Sequence, residues 1–230
     1  MKKLILYFVL LIIGNEAFAQ QLPQFSSYQL SPFLYNPAYA GVDGNTQINA
    51  VIRNQWAGVR EAPQTDVING YGLLRNEKMA VGATAFKDVA GADSRRGINI
   101  SYAYHLRLKD DMSLSLGLSA GFLQYKLDHP IINPYDDGDP VFNNSILSSV
   151  VPTATFGAYL YADNFYASLS LPQLLTSTFD IDSDYSDNSL VSDGLTNHIY
   201  IGGGYIKELN STFTLEPSVL FMLAPPAPLS

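Results

Sequence analysis

The chain has 230 residues, a formal net charge of −8, 47% hydrophobic and 15% charged residues, and no cysteine. The acidic balance opposes nucleic-acid binding, which needs a basic footprint. The missing cysteines exclude disulfides, thiolate metal sites and lipid attachment through sulfur, and the length fits a single domain.

Residues 1–19 read as an export signal peptide. Lys2 and Lys3 precede an apolar run over 4–14, and Ala17-Phe18-Ala19 supplies the small-residue cleavage pattern, with Gln20 as the mature start. A spanning helix is the weaker reading, because it takes about 20 apolar residues to cross a bilayer and Asn15 and Glu16 interrupt this run early. Losing Lys2, Lys3 and Glu16 with the leader makes the remainder more acidic by one charge. No later run is long and apolar enough to be a spanning helix.

Residues 20–45 read as an ordered, extended N-terminal arm. Pro23, Pro32 and Pro37 each remove a backbone donor and push the preceding residue towards extended geometry, so a continuous helix is excluded. Phe25, Tyr28, Phe33, Tyr35 and Tyr39 need a surface to bury against. The run Asn36-Pro37-Ala38-Tyr39-Ala40-Gly41 then turns the chain into its first strand. Shortly after comes Arg53-Asn54-Gln55-Trp56-Ala57-Gly58, holding the only tryptophan. An indole suits either a partner-facing anchor or a side chain of the membrane-interface belt.

From residue 46 onward, the dominant signal has period two. Leu114, Leu116, Leu118, Ala120 and Phe122 fall on one face, and Ser113, Ser115, Gly117, Ser119 and Gly121 on the other. Ile98, Ile100, Tyr102, Tyr104 and Leu106 alternate in the same way with Asn99, Ser101, Ala103, His105 and Arg107. Strands are expected at 46–55, 64–75, 78–88, 95–108, 112–127, 152–161, 164–171, 196–207 and 211–221. Short turns at 76–77, 109–111, 163–164 and 208–210 contrast with polar insertions at 128–150 and 176–195, the organisation of an outer-membrane barrel.

A soluble β-sandwich also alternates, but three features favour the membrane. The strands at 95–108 and 112–127 exceed the roughly nine to eleven residues of a tilted spanning strand. Their Ser and Gly face also suits a lumen better than a packed core. Tyr and Phe recur near strand ends, as interface girdles would. The expected fold is therefore an all-β, antiparallel transmembrane β-barrel of outer-membrane type over 46–230. It is incomplete, because about nine strands fall short of the even number in such barrels and the proline-rich stretch 224–230 cannot close one.

Other patterns have weaker context. Gly117-Leu118-Ser119-Ala120-Gly121 matches G-x-S-x-G, but a nucleophile elbow needs a strand-to-helix turn that the uninterrupted alternation denies it. Asp180, Asp182 and Asp184 resemble the opening of a calcium loop, yet Tyr185 and Val191 stand where glycine and glutamate belong. A loose calcium site and a solvated acidic loop both remain open there, as they do for Asp136, Asp137 and Asp139. Gly202-Gly203-Gly204 lies within a strand and suits a close backbone approach or a bend. His105, His129 and His198 show no ligand spacing.

The run PQFSSYQLSPFLYNPAYAG, then RNQWAG and Ala62-Pro63-Gln64-Thr65, resembles the N-terminus of the PorP/SprF family. These are outer-membrane proteins of type IX secretion and gliding motility in Bacteroidetes-type bacteria. The resemblance continues through VGATAFKDVAGADSRRGINISYAYHLRL, Asp139-Pro140, PTATFGAYLY and LEPSVLF. Relatives are longer, so the resemblance implies a C-terminally truncated member. It also implies a non-enzymatic component without a cofactor, which supports export or anchoring of surface adhesins by scaffolding. Its partners would be outer-membrane lipid, periplasmic parts of the machinery and a secreted adhesin. The residues expected to meet partners are Phe25, Tyr28, Phe33, Tyr35, Asn36, Pro37, Tyr39 and Trp56. A passive outer-membrane porin is the alternative that the same barrel pattern supports.

Overall fold

The computed structural model describes residues 31–75, 77–109, 111–128, 146–175 and 198–223. Residues 1–19, expected as a leader, Phe25, Tyr28, the acidic stretches with Asp136, Asp137, Asp139, Asp180, Asp182 and Asp184, and the proline-rich stretch 224–230 lie outside them. The strands are β1 (Gln47–Asn54), β2 (Gln64–Leu73), β3 (Met79–Ala90), β4 (Asp93–Lys109), β5 (Met112–Asp128) and β6 (Ile146–Ala162). They continue with β7 (Phe165–Leu171), β8 (Ile199–Tyr205), β9 (Lys207–Glu208), β10 (Thr214–Leu215) and β11 (Ser218–Leu223). No described helix is long and apolar enough to cross a membrane.

Nine of these strands, β1 to β8 and β11, form one antiparallel sheet paired in chain order and curled into a half-barrel. The expected period-two strands are thus found, with two large shifts in where they start. β6 begins at Ile146 rather than 152, because its ladder with β5 runs on to the pair Asp128–Ile146. Pro152 is tolerated in it because β7 pairs only with Phe156 to Tyr161, so the missing N–H breaks no ladder bond on that side. The ninth sheet strand begins at Ser218 rather than 211. The chain first makes the β9–β10 ribbon, and Pro217, which can only accept, takes a bond from the Tyr205 amide at 3.1 Å before pairing resumes.

Pairing in chain order sorts the connections between two rims. The strand ends Leu73 and Met79, Lys109 and Met112, and Ala162 and Phe165 share one rim, and Asn54 and Gln64, Ala90 and Asp93, Asp128 and Ile146, and Leu171 and Ile199 share the other. β1 and β11 end the strand order, and each has one edge without a strand partner among the described residues.

The polarity of the sheet is the reverse of a soluble domain's. Ile100 is 68% exposed while its neighbour Ser101 is 4% exposed. Ile48, Ile52, Ile68, Leu118, Phe122, Phe221 and Leu223 share the convex, exposed side with Ile100. The buried, concave side carries Thr65, Asn69, Ser101, His105, Ser115, Ser119 and Ser170. An apolar convex face this continuous is what lipid contact requires, and it sets aside the β-sandwich. Several tyrosines differ from the girdle expectation: Tyr71, Tyr159 and Tyr200 are buried on the concave side. Alternation sets only which residues share a side, and these fall in register with the serines rather than the leucines.

Candidate functional site

The concave face is occupied by the chain's own arm. Within it, Pro32–Leu34 and Pro37–Tyr39 each form a single 3-10 turn instead of a uniformly extended run. Proline starts both because the first helical position has no bond to lose and favours a fixed φ. Asn36 caps the second turn: its Oδ1 accepts the Ala38 amide at 2.9 Å. Gly41, at φ +78°, then takes the chain to β1, and a Cβ there would lie 2.7 Å from Leu73 Cδ2, so only glycine fits.

The sheet has seats for this segment. A Cβ on Gly117 would come within 2.3 Å of the Ala38 nitrogen, one on Gly157 within 2.0 Å of Asn36 Oδ1, and one on Gly82 within 2.5 Å of the Phe33 ring. Phe33 and Ala40 form a small core with Tyr71, Ala80 and Ala103. Phe33 and Tyr71 have ring centroids 5.1 Å apart, Tyr39 meets Tyr159 edge-on at 5.3 Å, and Tyr35 meets Tyr200 edge-on at 5.9 Å. Such tilted and edge-on pairs contribute beyond the area they bury.

Polar contacts fix the register of the arm. Asn36 Nδ2 donates to the Ala158 carbonyl at 3.0 Å, Ser168 Oγ at 2.8 Å and the Leu169 carbonyl at 3.2 Å. Asn69 Nδ2 donates to Ser31 Oγ at 3.1 Å. His105 Nε2 lies 2.9 Å from the Ala40 carbonyl and Nδ1 lies 3.1 Å from the Tyr161 hydroxyl. A carbonyl only accepts, so Nε2 carries the proton; in the neutral ring Nδ1 then accepts from the Tyr161 hydroxyl. Asp43 takes the Tyr71 hydroxyl at 3.0 Å and the Gln47 amide where the arm meets β1. Burial pushes the Tyr39 hydroxyl above its ordinary pKa, and the charges of Asp43 and then Glu216 add to that rise.

The structure brings five of the expected residues together and separates the sixth described one. Phe33, Asn36 and Pro37 are buried, and Tyr35 and Tyr39 half-buried, all against the concave sheet. Trp56 stands apart on the 55–63 connection at the opposite rim, the eight residues of β1 away, or about 26 Å of strand. It is 66% exposed. Its φ of +55° joins Gly58 at +97° and Glu61 at +59° in the left-handed region, which a bulky residue seldom occupies. The Glu61 carbonyl holds this hairpin by accepting the Gly91 amide at 3.0 Å.

Sequence reasoning missed the seats Gly117 and Gly157 and the polar partners His105 and Ser168. The Ser and Gly face of 113–121 was their signal, since small residues in register leave room for something else. The G-x-S-x-G run lies in mid-β5, with Ser119 paired to Ser101 on one side and Thr155 on the other. It therefore lacks the strand-to-helix turn of a nucleophile elbow. Among the described residues, no group of three His, Asp or Glu side chains is placed to hold a metal.

The family model described as type IX secretion system membrane protein PorP/SprF matches residues 17–230. The chain belongs to the PorP/SprF family. It is thus a membrane component of the type IX secretion system, and its β-rich fold fits an outer membrane. No curated protein and no solved structure matches it. The family is a structural one within the secretion system, in keeping with a concave face built for an arm.

Proposed function

We propose that this chain is a non-enzymatic scaffold of the outer membrane that supports export or anchoring of cell-surface adhesins in type IX secretion and gliding. The observation that carries this reading is the filled concave face: the two 3-10 turns sit where a porin would keep its water path. A passive solute channel is the less favoured reading for that reason.

In this reading the rim of short turns faces the periplasm and the rim with Trp56 faces outward, as in outer-membrane barrels. Trp56 meets partners directly, an exposed aromatic anchor of the kind that dominates interface energetics. Phe25 and Tyr28, upstream of the docked segment, meet partners as well. Phe33, Tyr35, Asn36, Pro37 and Tyr39 act by keeping the arm in place. Outer-membrane lipid, periplasmic machinery and a secreted adhesin are the partners.

The test is a paired measurement on the full chain and on a variant lacking residues 23–41. Co-purification of secretion components with the full chain and its loss in the variant, with no solute flux through the full chain in liposomes, is the expected result. Robust flux through the full chain would return the porin reading.

A further inference from the structure

A second feature of the concave side lies beside the docked arm and shares residues with it. A pocket of about 180 Å³ opens between the arm and the last strands, lined by Tyr35, Tyr39, Tyr159, Tyr166, Gly202 and Glu216 among others. Its walls are phenol rings in two orientations: Tyr159 and Tyr166 stack at 5.6 Å and 13°, and Tyr39 stands at 87° to Tyr159. The glycine run of β8 makes the room. A Cβ on Gly204 would strike the Tyr166 ring at 2.5 Å, and Gly202 and Gly203 line the opening with no side chain.

Among the described lining residues Glu216 is the only charged one, it is exposed, and no basic side chain accompanies it. Four tyrosine rings around a small space, with one carboxylate among the lining residues, favour a compact cation. Anions and neutral apolar groups gain nothing from the carboxylate. Hydroxyls and an amide also line the space, on Ser168, Asn36 and the tyrosines. They suit an ammonium that donates hydrogen bonds better than a quaternary one that cannot.

We propose that this tyrosine pocket binds a primary alkylammonium group, as carried by a lysine side chain of a partner polypeptide. Lysine fits because its charge is a compact point on a flexible four-carbon stem that can reach into a recess. The site needs the arm docked, since Tyr35, Asn36 and Tyr39 form one wall. It is independent of the scaffold reading, because a small amine binds without any secretion partner.

The experiment is calorimetric titration of the full chain in detergent micelles with n-butylammonium, 1-butanol and choline. Saturable binding of n-butylammonium is expected, weakened about five-fold by Glu216→Gln, the effect of losing one partly exposed ion pair. Gly202→Val, which fills the recess with a residue that strands accept, should abolish binding; its Cβ would stand 3.3 Å from the Val219 carbonyl, so thermal unfolding is measured beside it and Glu216→Gln carries the test if this variant does not fold. Equal binding of neutral 1-butanol, equal binding of choline, or Glu216→Gln without effect would each overturn the assignment.

Discussion

The main-chain nitrogen of Ala38 stands directly over Gly117, so close that a Cβ on that glycine would lie 2.3 Å from it. Carbon and nitrogen prefer about 3.5 Å or more, and the obstructing atom is backbone. Gly117→Ala therefore lifts the second 3-10 turn off β5. The expected cost is about 1–3 kcal/mol, read as a lower denaturant midpoint, with new chymotrypsin cleavage at Tyr35 or Tyr39. Unchanged protease resistance would mean that the arm does not rest there.

Asn36 holds the arm through both ends of its amide. Asn36→Ala loses the cap on Ala38 and leaves the Ala158 and Leu169 carbonyls without that donor, a loss of about 1–3 kcal/mol. Asn36→Asp keeps the capping acceptor but sets a second oxygen against two carbonyls. It should unfold at lower denaturant than Asn36→Ala; the reverse order would contradict the hydrogen-bond assignment.

Leu118 tests the lipid-facing side. It is 55% exposed near the middle of β5. In water, an exposed Leu→Arg change stays within about 0.5 kcal/mol. At the midplane of a bilayer the same change on a barrel costs about 2–4 kcal/mol. Unfolding of Leu118→Arg in lipid vesicles should show the larger loss.

Trp56 separates partner binding from stability. Trp56→Gly relieves a left-handed conformation that costs a side-chain-bearing residue about 1 kcal/mol or more. The folded protein should keep or slightly raise its unfolding temperature while capture of secretion partners in pull-downs falls. A marked drop in unfolding temperature would make Trp56 a structural residue.

Tyr39 makes the docked arm sensitive to alkali. Burial raises its pKa, so the neutral form is favoured in the folded state. Its contribution is complete below the ordinary tyrosine value of about 10 and is lost as pH rises through the higher folded value. Tyr39→Phe should lose less stability than the unaltered chain between neutral pH and pH ~11, measured by denaturant titration at each pH. Equal losses would show that Tyr39 ionises freely.

Much of the sheet was legible in advance because alternation is a local property. Leu114 to Phe122 against Ser113 to Gly121 sufficed to place β5 and its two sides, and the short turns located the hairpins beside it. The bounds that moved did so for reasons outside the local pattern. β6 grew because β5 offered it a longer ladder, and β11 started late because Pro217 had no amide to give. The tyrosines illustrate the same limit. Period two says that Tyr159 and Tyr161 share a side, but not that this side is the inner one.

The amino-acid order alone therefore determined that the chain is a sheet with one apolar and one small, polar side, preceded by an aromatic arm needing cover. Tertiary structure decided that the cover is the sheet itself. Asn36 finds its three acceptors 122, 132 and 133 positions further along the chain, and Gly117 and Gly157 become seats only once β5 and β6 lie side by side. A pattern of neighbours fixes which way each side chain points; what it meets there depends on curvature and closure, which only distant contacts create.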